Sequence, residues 1–136
     1  MERPVQNGDD DAWRYSSALL QWAMATLKAY RLGAVRRSVE AEIQVLSIGD
    51  LALVGVPGEL FTSLGQSIQR GATAHTFLAT CTNGNVGYIA PREEYSEGGY
   101  EVNDAYHYYD YPSALAPEAG ETVVQTARKL LGERGI

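Results

Sequence analysis

One carboxylate and several tyrosines stand out as the residues of this chain that could do chemistry. Glu59 follows the apolar run Leu51 to Val56 after a Pro-Gly pair. Three tyrosines lie farther along, after a second apolar run: Tyr88, Tyr95 and Tyr100. A carboxylate in this position is either a metal ligand or general base, or it only interacts favourably with the N-terminus of a following helix. Tyrosine is equally ambiguous, because many tyrosines bury a ring and bond a hydroxyl for structural reasons alone.

The histidines and the single cysteine do not form a recognisable metal site. His75 and His107 lack the His-Glu-x-x-His spacing or the cysteine pairs of known zinc sites. We expect His75 to be a surface or capping residue, while His107, within AYHYYDY, either lines an apolar entrance or anchors its loop. Cys81 ends an apolar run and is expected to be a buried, inert thiol. Neither a Gly-x-Ser-x-Gly elbow nor a phosphate loop of the Gly-x-x-x-x-Gly-Lys type is present.

Hydrophobic periodicity predicts the elements of the first half of the chain. After a start that we expect to be frayed (residues 1–12), helical spacing of Trp13, Leu20, Met24 and Leu27 predicts a helix that ends near Gly33. Alternation from residue 39 to residue 48 predicts a strand with one buried face, and Gly49-Asp50 predicts a hairpin turn. The next strand, 51–56, is apolar throughout, so we expect a central strand that is covered on both faces.

The second half reads as a βαβ unit followed by a long loop and a helix. Leu60, Phe61, Leu64 and Ile68 have helical spacing, and residues 75–81 read as a strand. Strand, helix and strand in this order predict parallel strands with a right-handed crossover. Residues 82–116 are predicted to be a long functional loop region, before a final helix with Val124, Ala127 and Leu131 on one face.

These elements predict an α/β fold in one domain, residues 1–136. A helix, a β-hairpin, a βαβ unit and a C-terminal helix form a mixed sheet with helices packed on it. Because ligands bind beyond the carboxyl ends of parallel strands, we expect Glu59 to lie beside the loop that follows residue 81.

Composition narrows the class of partner. With 17 acidic and 11 basic residues, the formal net charge is -6, which argues against binding to nucleic acid or to an anionic membrane surface. No window approaches the roughly 20 apolar residues of a membrane span, so the sequence predicts a soluble chain without a transmembrane segment.

Two stretches together resemble the neutral/alkaline ceramidase family. They are IQVLSIGDLALVGVPGELF and TNGNVGYIAPREEYSEGGYE, and the resemblance runs from about Val39 to the final helix. Its most specific elements are Pro57-Gly58-Glu59 after an apolar strand, the tripeptide Gly87-Tyr88-Ile89, and Tyr100 twelve residues after Tyr88.

The resemblance implies a zinc hydrolase that cleaves an N-acyl (amide) bond of a lipid-like substrate. It implies that Glu59 and Tyr88 are zinc ligands and that Tyr100 faces the substrate as a catalytic residue. The family's two histidine ligands belong to an N-terminal region that has no counterpart among these 136 residues. We therefore expect the chain to be the C-terminal part of a larger catalytic domain, inactive alone, whose remainder is its partner, with Met1 as an internal start.

A second hypothesis of a different class is a non-catalytic α/β domain. In this interpretation the tyrosine-rich loop from Tyr100 to Tyr111 is an aromatic contact surface for a partner or for oligomerisation. Tyr106, Tyr108 and Tyr109 would then make the intermolecular contacts.

Overall fold

The structure, a computed structural model, describes residues 9–72 and 75–135. Its helices and strands follow in the order α1 (Asp9–Arg31), β1 (Gln44–Ile48), β2 (Leu51–Val56), β3 (Glu59–Leu60), α2 (Thr62–Arg70), β4 (His75–Thr80), β5 (Tyr88–Ile89), α3 (Glu94–Glu97), α4 (Tyr100–Asn103), the 3-10 helix Ala105–Tyr109, and α5 (Ala119–Glu133). The predicted α/β class is confirmed. Helix α1 begins inside the segment 1–12 for which the sequence predicts fraying, and residues 1–8 lie outside the described residues.

The main sheet has three strands in the order β1-β2-β4. β1 and β2 form the predicted antiparallel hairpin, and β2 pairs with β4 in parallel, as the βαβ pattern predicts. β1 starts at Gln44 rather than at Val39, because its ladder with β2 extends only from Gln44 to Ile48. The sheet therefore places β2 in the centre, with its carboxyl end pointing the same way as that of β4.

The core lies on one face of this sheet. Helices α2 and α5 contact each other, and they contact β4 and β1 respectively. Their apolar side chains enclose Val45, Ala52, Val54 and Val56, which are almost fully buried. The alternate residues of β2 are different, since Leu51 and Leu53 remain 42% and 41% exposed. The prediction that β2 is covered on both faces is therefore wrong, because no described element packs on the second face.

That second face is an apolar surface, which we call the open face. It carries five exposed side chains: Leu46, Ile48, Leu51, Leu53 and Phe77. Phe77 and Leu53 are cross-strand neighbours in the parallel ladder, so these residues form one contiguous patch. Contiguous apolar surface of this kind is typical of a site where protein packs on protein.

Helix α1 is held mainly by Trp22. The indole Nε1–H donates to the carbonyl of Tyr111 at 2.6 Å, and the indole ring meets His107 edge-on at a centroid distance of 4.2 Å. The predicted apolar side of the helix, with Trp13, Leu20, Met24 and Leu27, is exposed instead of packed. Within the described residues, no helix combines the length and apolar character that a membrane span requires.

Candidate functional site

The sheet changes its pairing at the carboxyl ends of β2 and β4, and this change builds the candidate site. Beyond Pro57 the chain continues into β3, which pairs in parallel with β5 instead of β4. Glu59 is directly opposite Tyr88 in this short ladder. Neighbouring strands lie about 4.8 Å apart and paired residues share a face, so the carboxylate and the phenol project from the same side of the sheet. The expectation that Glu59 lies beside the long loop is confirmed.

Glycine at position 58 permits this close pairing. A β-carbon there would lie 2.7 Å from Cδ1 of Ile89 and 2.8 Å from the carbonyl oxygen of Gly87. That same carbonyl accepts a hydrogen bond from the Glu59 amide at 2.9 Å. The Pro-Gly-Glu sequence thus places a carboxylate directly after the only residue type that lets β5 approach so closely.

Glu59 is not a helix-terminus carboxylate, because it lies in β3 and α2 starts three residues later at Thr62. Its main partner is Tyr109, whose hydroxyl donates to Oε1 of Glu59 at 2.7 Å. This hydrogen bond is the largest cause that lowers the pKa of Glu59, and the polar side chains of Tyr88 and Asn85 lower it further. Conversely, the Glu59 carboxylate raises the pKa of Tyr109 to about 12. Glu59 is therefore ionised at neutral pH and accepts from neutral phenols.

Tyr88 and Tyr100 lie next to each other in front of this carboxylate. Their rings meet edge-to-face with centroids 6.0 Å apart. The hydrogen bond to Glu59 is the main cause that raises the pKa of Tyr88, whereas burial is the main cause for Tyr100. Tyr100 is 49% exposed, so its ring faces solvent beside the pair. The structure thus brings together Glu59, Tyr88 and Tyr100, the three residues to which the family resemblance gives a role.

An open cleft of about 460 Å³ lies in front of Glu59 and Tyr88. It is lined by Glu59, Leu60, Phe61, Thr62, Thr80, Cys81, Tyr88 and Glu101. Cys81 is exposed, so the expectation of a buried thiol is wrong: the residue lies just beyond β4 with a left-handed φ of 54°, where the chain turns outward. Neither histidine lines the cleft, and neither Tyr95 nor Tyr100 is among its lining residues.

Glu59 and Tyr88 contribute oxygen donors, and the thiol of Cys81 lines the same cleft. Among residues 9–72 and 75–135, no group of three or more His, Cys, Asp and Glu side chains gathers as a metal cluster. Glu59 and Tyr88 nevertheless offer two oxygen donors on one rung of a ladder, and zinc accepts oxygen ligands. The Glu59 carboxylate alone raises the pKa of Tyr88. A bound cation would have the opposite effect, because a positive charge favours the phenolate form of Tyr88.

Sequence reasoning missed two residues of this site, Tyr109 and Asn85. The motif AYHYYDY suggests an anchor or an entrance but does not indicate which tyrosine turns inward. Asn85 reads only as part of an Asn-Gly-Asn turn, yet its Oδ1 accepts from the Gly87 amide at 2.9 Å and its side chain also reaches Glu59. Residues 82–116, predicted to be a long loop, also contain β5, three short helices and most of the groups around Glu59.

Comparisons with known proteins give one informative similarity. No protein-family model matches the chain, and no curated protein matches it. Among solved structures, the chain is similar to the crystal structure of neutral ceramidase from Pseudomonas aeruginosa, with a TM-score of 0.50 and 23% sequence identity. The similarity covers 63% of this chain and 14% of the ceramidase chain, so the matched part spans about one seventh of that protein. This similarity shows a ceramidase-like fold.

Proposed function

We propose that this chain is the C-terminal segment of a ceramidase-like, zinc-dependent hydrolase that acts on an amide bond of the N-acyl sphingosine type. One observation carries the proposal: Glu59 and Tyr88 are direct partners in the ladder between β3 and β5, and the exposed ring of Tyr100 packs against Tyr88. These are the three residues to which the family resemblance assigns metal binding and substrate contact. The ceramidase-like fold agrees with the proposal at the level of the fold.

In this proposal Glu59 and Tyr88 hold the metal. The hydrogen-bonded state of Glu59 favours a carboxylate anion at neutral pH, which is the form that binds a cation. Tyr88 is the direct ladder partner of Glu59, and its pKa is raised mainly by its interaction with that carboxylate, so these two side chains are the ones that would hold a zinc ion. A zinc ion held there would supply an activated water and would polarise an amide carbonyl.

In this proposal the substrate is bound by side chains of the protein, Tyr100 and the apolar residues of the cleft. Tyr100 presents its half-exposed ring beside Tyr88, next to the cleft but not among its lining residues, and we assign to it the contact with an amide substrate that approaches Tyr88. The cleft also has an apolar side, with Leu60 and Phe61, that suits a lipid-like chain.

Two protein oxygens are fewer than a catalytic zinc site normally uses, which is three protein ligands. The proposal therefore requires that another polypeptide region, the remainder of the catalytic domain, supplies the histidines. The open face supports this requirement, because its exposed leucines and Phe77 are suited to packing against further protein. On this proposal the chain binds zinc weakly and is inactive alone.

The test is a zinc titration of the 136-residue chain by calorimetry, followed in parallel by ultraviolet difference spectroscopy. We expect one weak site, together with the spectrum of a tyrosine that loses its proton to the metal. Glu59→Ala and Tyr88→Phe should each weaken binding at least tenfold, and Tyr88→Phe should also abolish the phenolate signal.

Two matched controls separate ligation from general charge or ring effects. Glu40→Ala removes the same charge from an exposed position outside the cleft, and Tyr100→Phe removes a hydroxyl beside the site. Both should keep the affinity of the wild-type chain. If Glu59→Ala and Glu40→Ala bind zinc equally well, the assignment of Glu59 as a ligand is wrong.

The alternative function, a non-catalytic binding domain, has weaker support from the tyrosine-rich loop than the sequence suggests. Tyr106 packs against Trp22, and Tyr109 bonds to Glu59, so both rings are engaged within the chain. Tyr108 is 51% exposed and is the one of the three with a largely free surface. If the chain binds a partner, the open face is the better contact surface.

A further inference from the structure

We propose that Tyr109 is the positioning residue of the site, which holds the Glu59 carboxylate in place on its rung with Tyr88. The inference deepens the proposed function and rests on it for the metal, but it concerns a residue that neither the family resemblance nor the fold similarity assigns. The contact is the hydrogen bond of 2.7 Å from the Tyr109 hydroxyl to Oε1 of Glu59. It joins residues that are 50 positions apart in the sequence.

The position of the Tyr109 ring is restricted by contact with Gly87. Gly87, which has a left-handed φ of 87°, lies against the ring so closely that a β-carbon there would be 3.0 Å from Cδ2 of Tyr109. Any other residue at this position would push the ring away from β5. Gly87 therefore serves the site twice, since its carbonyl also accepts the amide of Glu59.

The ring is fixed from the side by Tyr111. The two rings are stacked, with centroids 6.2 Å apart and planes inclined by 22°. Between them Asp110 adopts a left-handed φ of 54°, which reverses the chain at the end of the 3-10 helix and brings both rings to the same side. Tyr111 is 8% exposed, and its carbonyl accepts the Trp22 indole. Contacts therefore run from Trp22 of helix α1 through Tyr111 to Tyr109, and they fix the position of the Tyr109 hydroxyl.

A fixed donor of this kind has a defined effect on a metal-binding carboxylate. A flexible glutamate has three side-chain torsions, and a single hydrogen bond to one oxygen restricts them before a metal arrives. Donors that orient metal ligands typically change metal affinity by 10- to 100-fold when they are removed. We therefore expect Tyr109 to contribute an effect of that size although it is not itself a ligand.

The experiment compares Tyr109→Phe with Tyr108→Phe in the full 136-residue chain. Both substitutions remove one phenolic hydroxyl from the same 3-10 helix, and both keep the ring, so the Gly87 and Tyr111 contacts of position 109 survive. Tyr108 faces Tyr100 instead of Glu59, with ring centroids 6.4 Å apart. Two readouts are used: crystal structures without metal, and Zn²⁺ affinity by calorimetry.

In Tyr109→Phe we expect the Glu59 carboxylate to leave the position that it has in the wild-type chain, and Zn²⁺ affinity to fall about 10- to 100-fold. In Tyr108→Phe both should be unchanged. A melting temperature close to that of the wild-type chain shows that Tyr109→Phe is folded. A loss of Zn²⁺ affinity at unchanged stability then distinguishes a positioning role of Tyr109 from a merely structural one.

The two proposals fail in different ways. If Glu59 keeps its position in metal-free Tyr109→Phe crystals, the positioning inference is overturned, whatever the affinity. If the wild-type chain binds no Zn²⁺ but Glu59 moves in Tyr109→Phe, the positioning of Glu59 is supported and the zinc assignment is overturned. Equal Zn²⁺ affinities for wild type and Tyr109→Phe would likewise overturn the role of Tyr109 at a metal site.

Discussion

Replacement of Gly58 by alanine tests whether the close approach of β3 and β5 builds the site. The new methyl group would lie 2.7 Å from Cδ1 of Ile89 and 2.8 Å from the Gly87 carbonyl oxygen. The isoleucine methyl can rotate away, but the carbonyl belongs to the backbone of the neighbouring segment. The conflict must therefore be relieved by moving strand β5 away from β3.

The size of the effect follows from these distances. Ordinary contact starts at about 3.4 Å, so the carbonyl must move by about 0.6 Å, which would lengthen its 2.9 Å hydrogen bond to the Glu59 amide to about 3.5 Å. Overpacking typically costs about 1–3 kcal/mol, and the weakened hydrogen bond adds about 0.5 kcal/mol. We expect Gly58→Ala to lower the free energy of unfolding by about 2 kcal/mol, which corresponds to about 8 °C in melting temperature for a domain of this size.

The assay is urea and thermal unfolding followed by circular dichroism, with Gly132→Ala as the matched control. Gly132 lies in α5, and a β-carbon there would meet nothing within 4 Å. Because alanine is the better helix former, Gly132→Ala should be neutral or should stabilise by up to about 1 kcal/mol. If Gly58→Ala is as stable as Gly132→Ala, the close pairing that we derive for β3 and β5 is wrong.

Two further predictions concern pH and the open face. The free energy of unfolding should fall by about 2 kcal/mol more in the wild-type chain than in Tyr109→Phe as the pH rises from about 10 to 12. The reason is that Glu59 raises the pKa of Tyr109 to about 12, so the folded state holds that proton more tightly than the unfolded state. Denaturant titrations across this range measure the difference, and identical pH profiles would contradict it. Phe77→Lys, at a side chain that is 59% exposed, should reduce binding of a hydrophobic dye with little change in stability, whereas Val54→Ala on the buried face should cost about 2 kcal/mol. Unchanged dye fluorescence in Phe77→Lys would show that the open face is not the dye-binding surface.

The parts of the fold that the sequence predicted are those set by local periodicity. Two apolar runs separated by Gly49-Asp50 have few alternatives to a hairpin, and strand, helix and strand imply parallel pairing. From these two rules alone, Glu59 and the segment that contains Tyr88 were expected at one edge of the sheet. Their register as direct partners was not predicted, because it depends on a two-residue ladder that the periodicity of short strands cannot fix.

The parts that were not predicted depend on contacts between distant residues. An apolar strand looks the same in sequence whether both faces are covered or only one, so the exposure of Leu53 depends on how many elements are there to pack on the sheet. The hydrogen bond of Tyr109 joins segments that are 50 positions apart, and nothing local in the run of tyrosines shows which hydroxyl meets Glu59.

Gly87 shows why a site of this kind can be compact although its parts come from distant segments. Its amide donates to the side chain of Asn85, its carbonyl accepts the amide of Glu59, and its bare α-carbon supports the ring of Tyr109. One residue therefore sets the spacing between β3, β5 and the 3-10 helix at once. A β-carbon at this position would press on the ring of Tyr109, and the left-handed φ of Gly87 already favours glycine. The Gly-Tyr pair at positions 87 and 88 is thus a physical unit, in which the first residue creates the space that the second and Tyr109 use to meet Glu59.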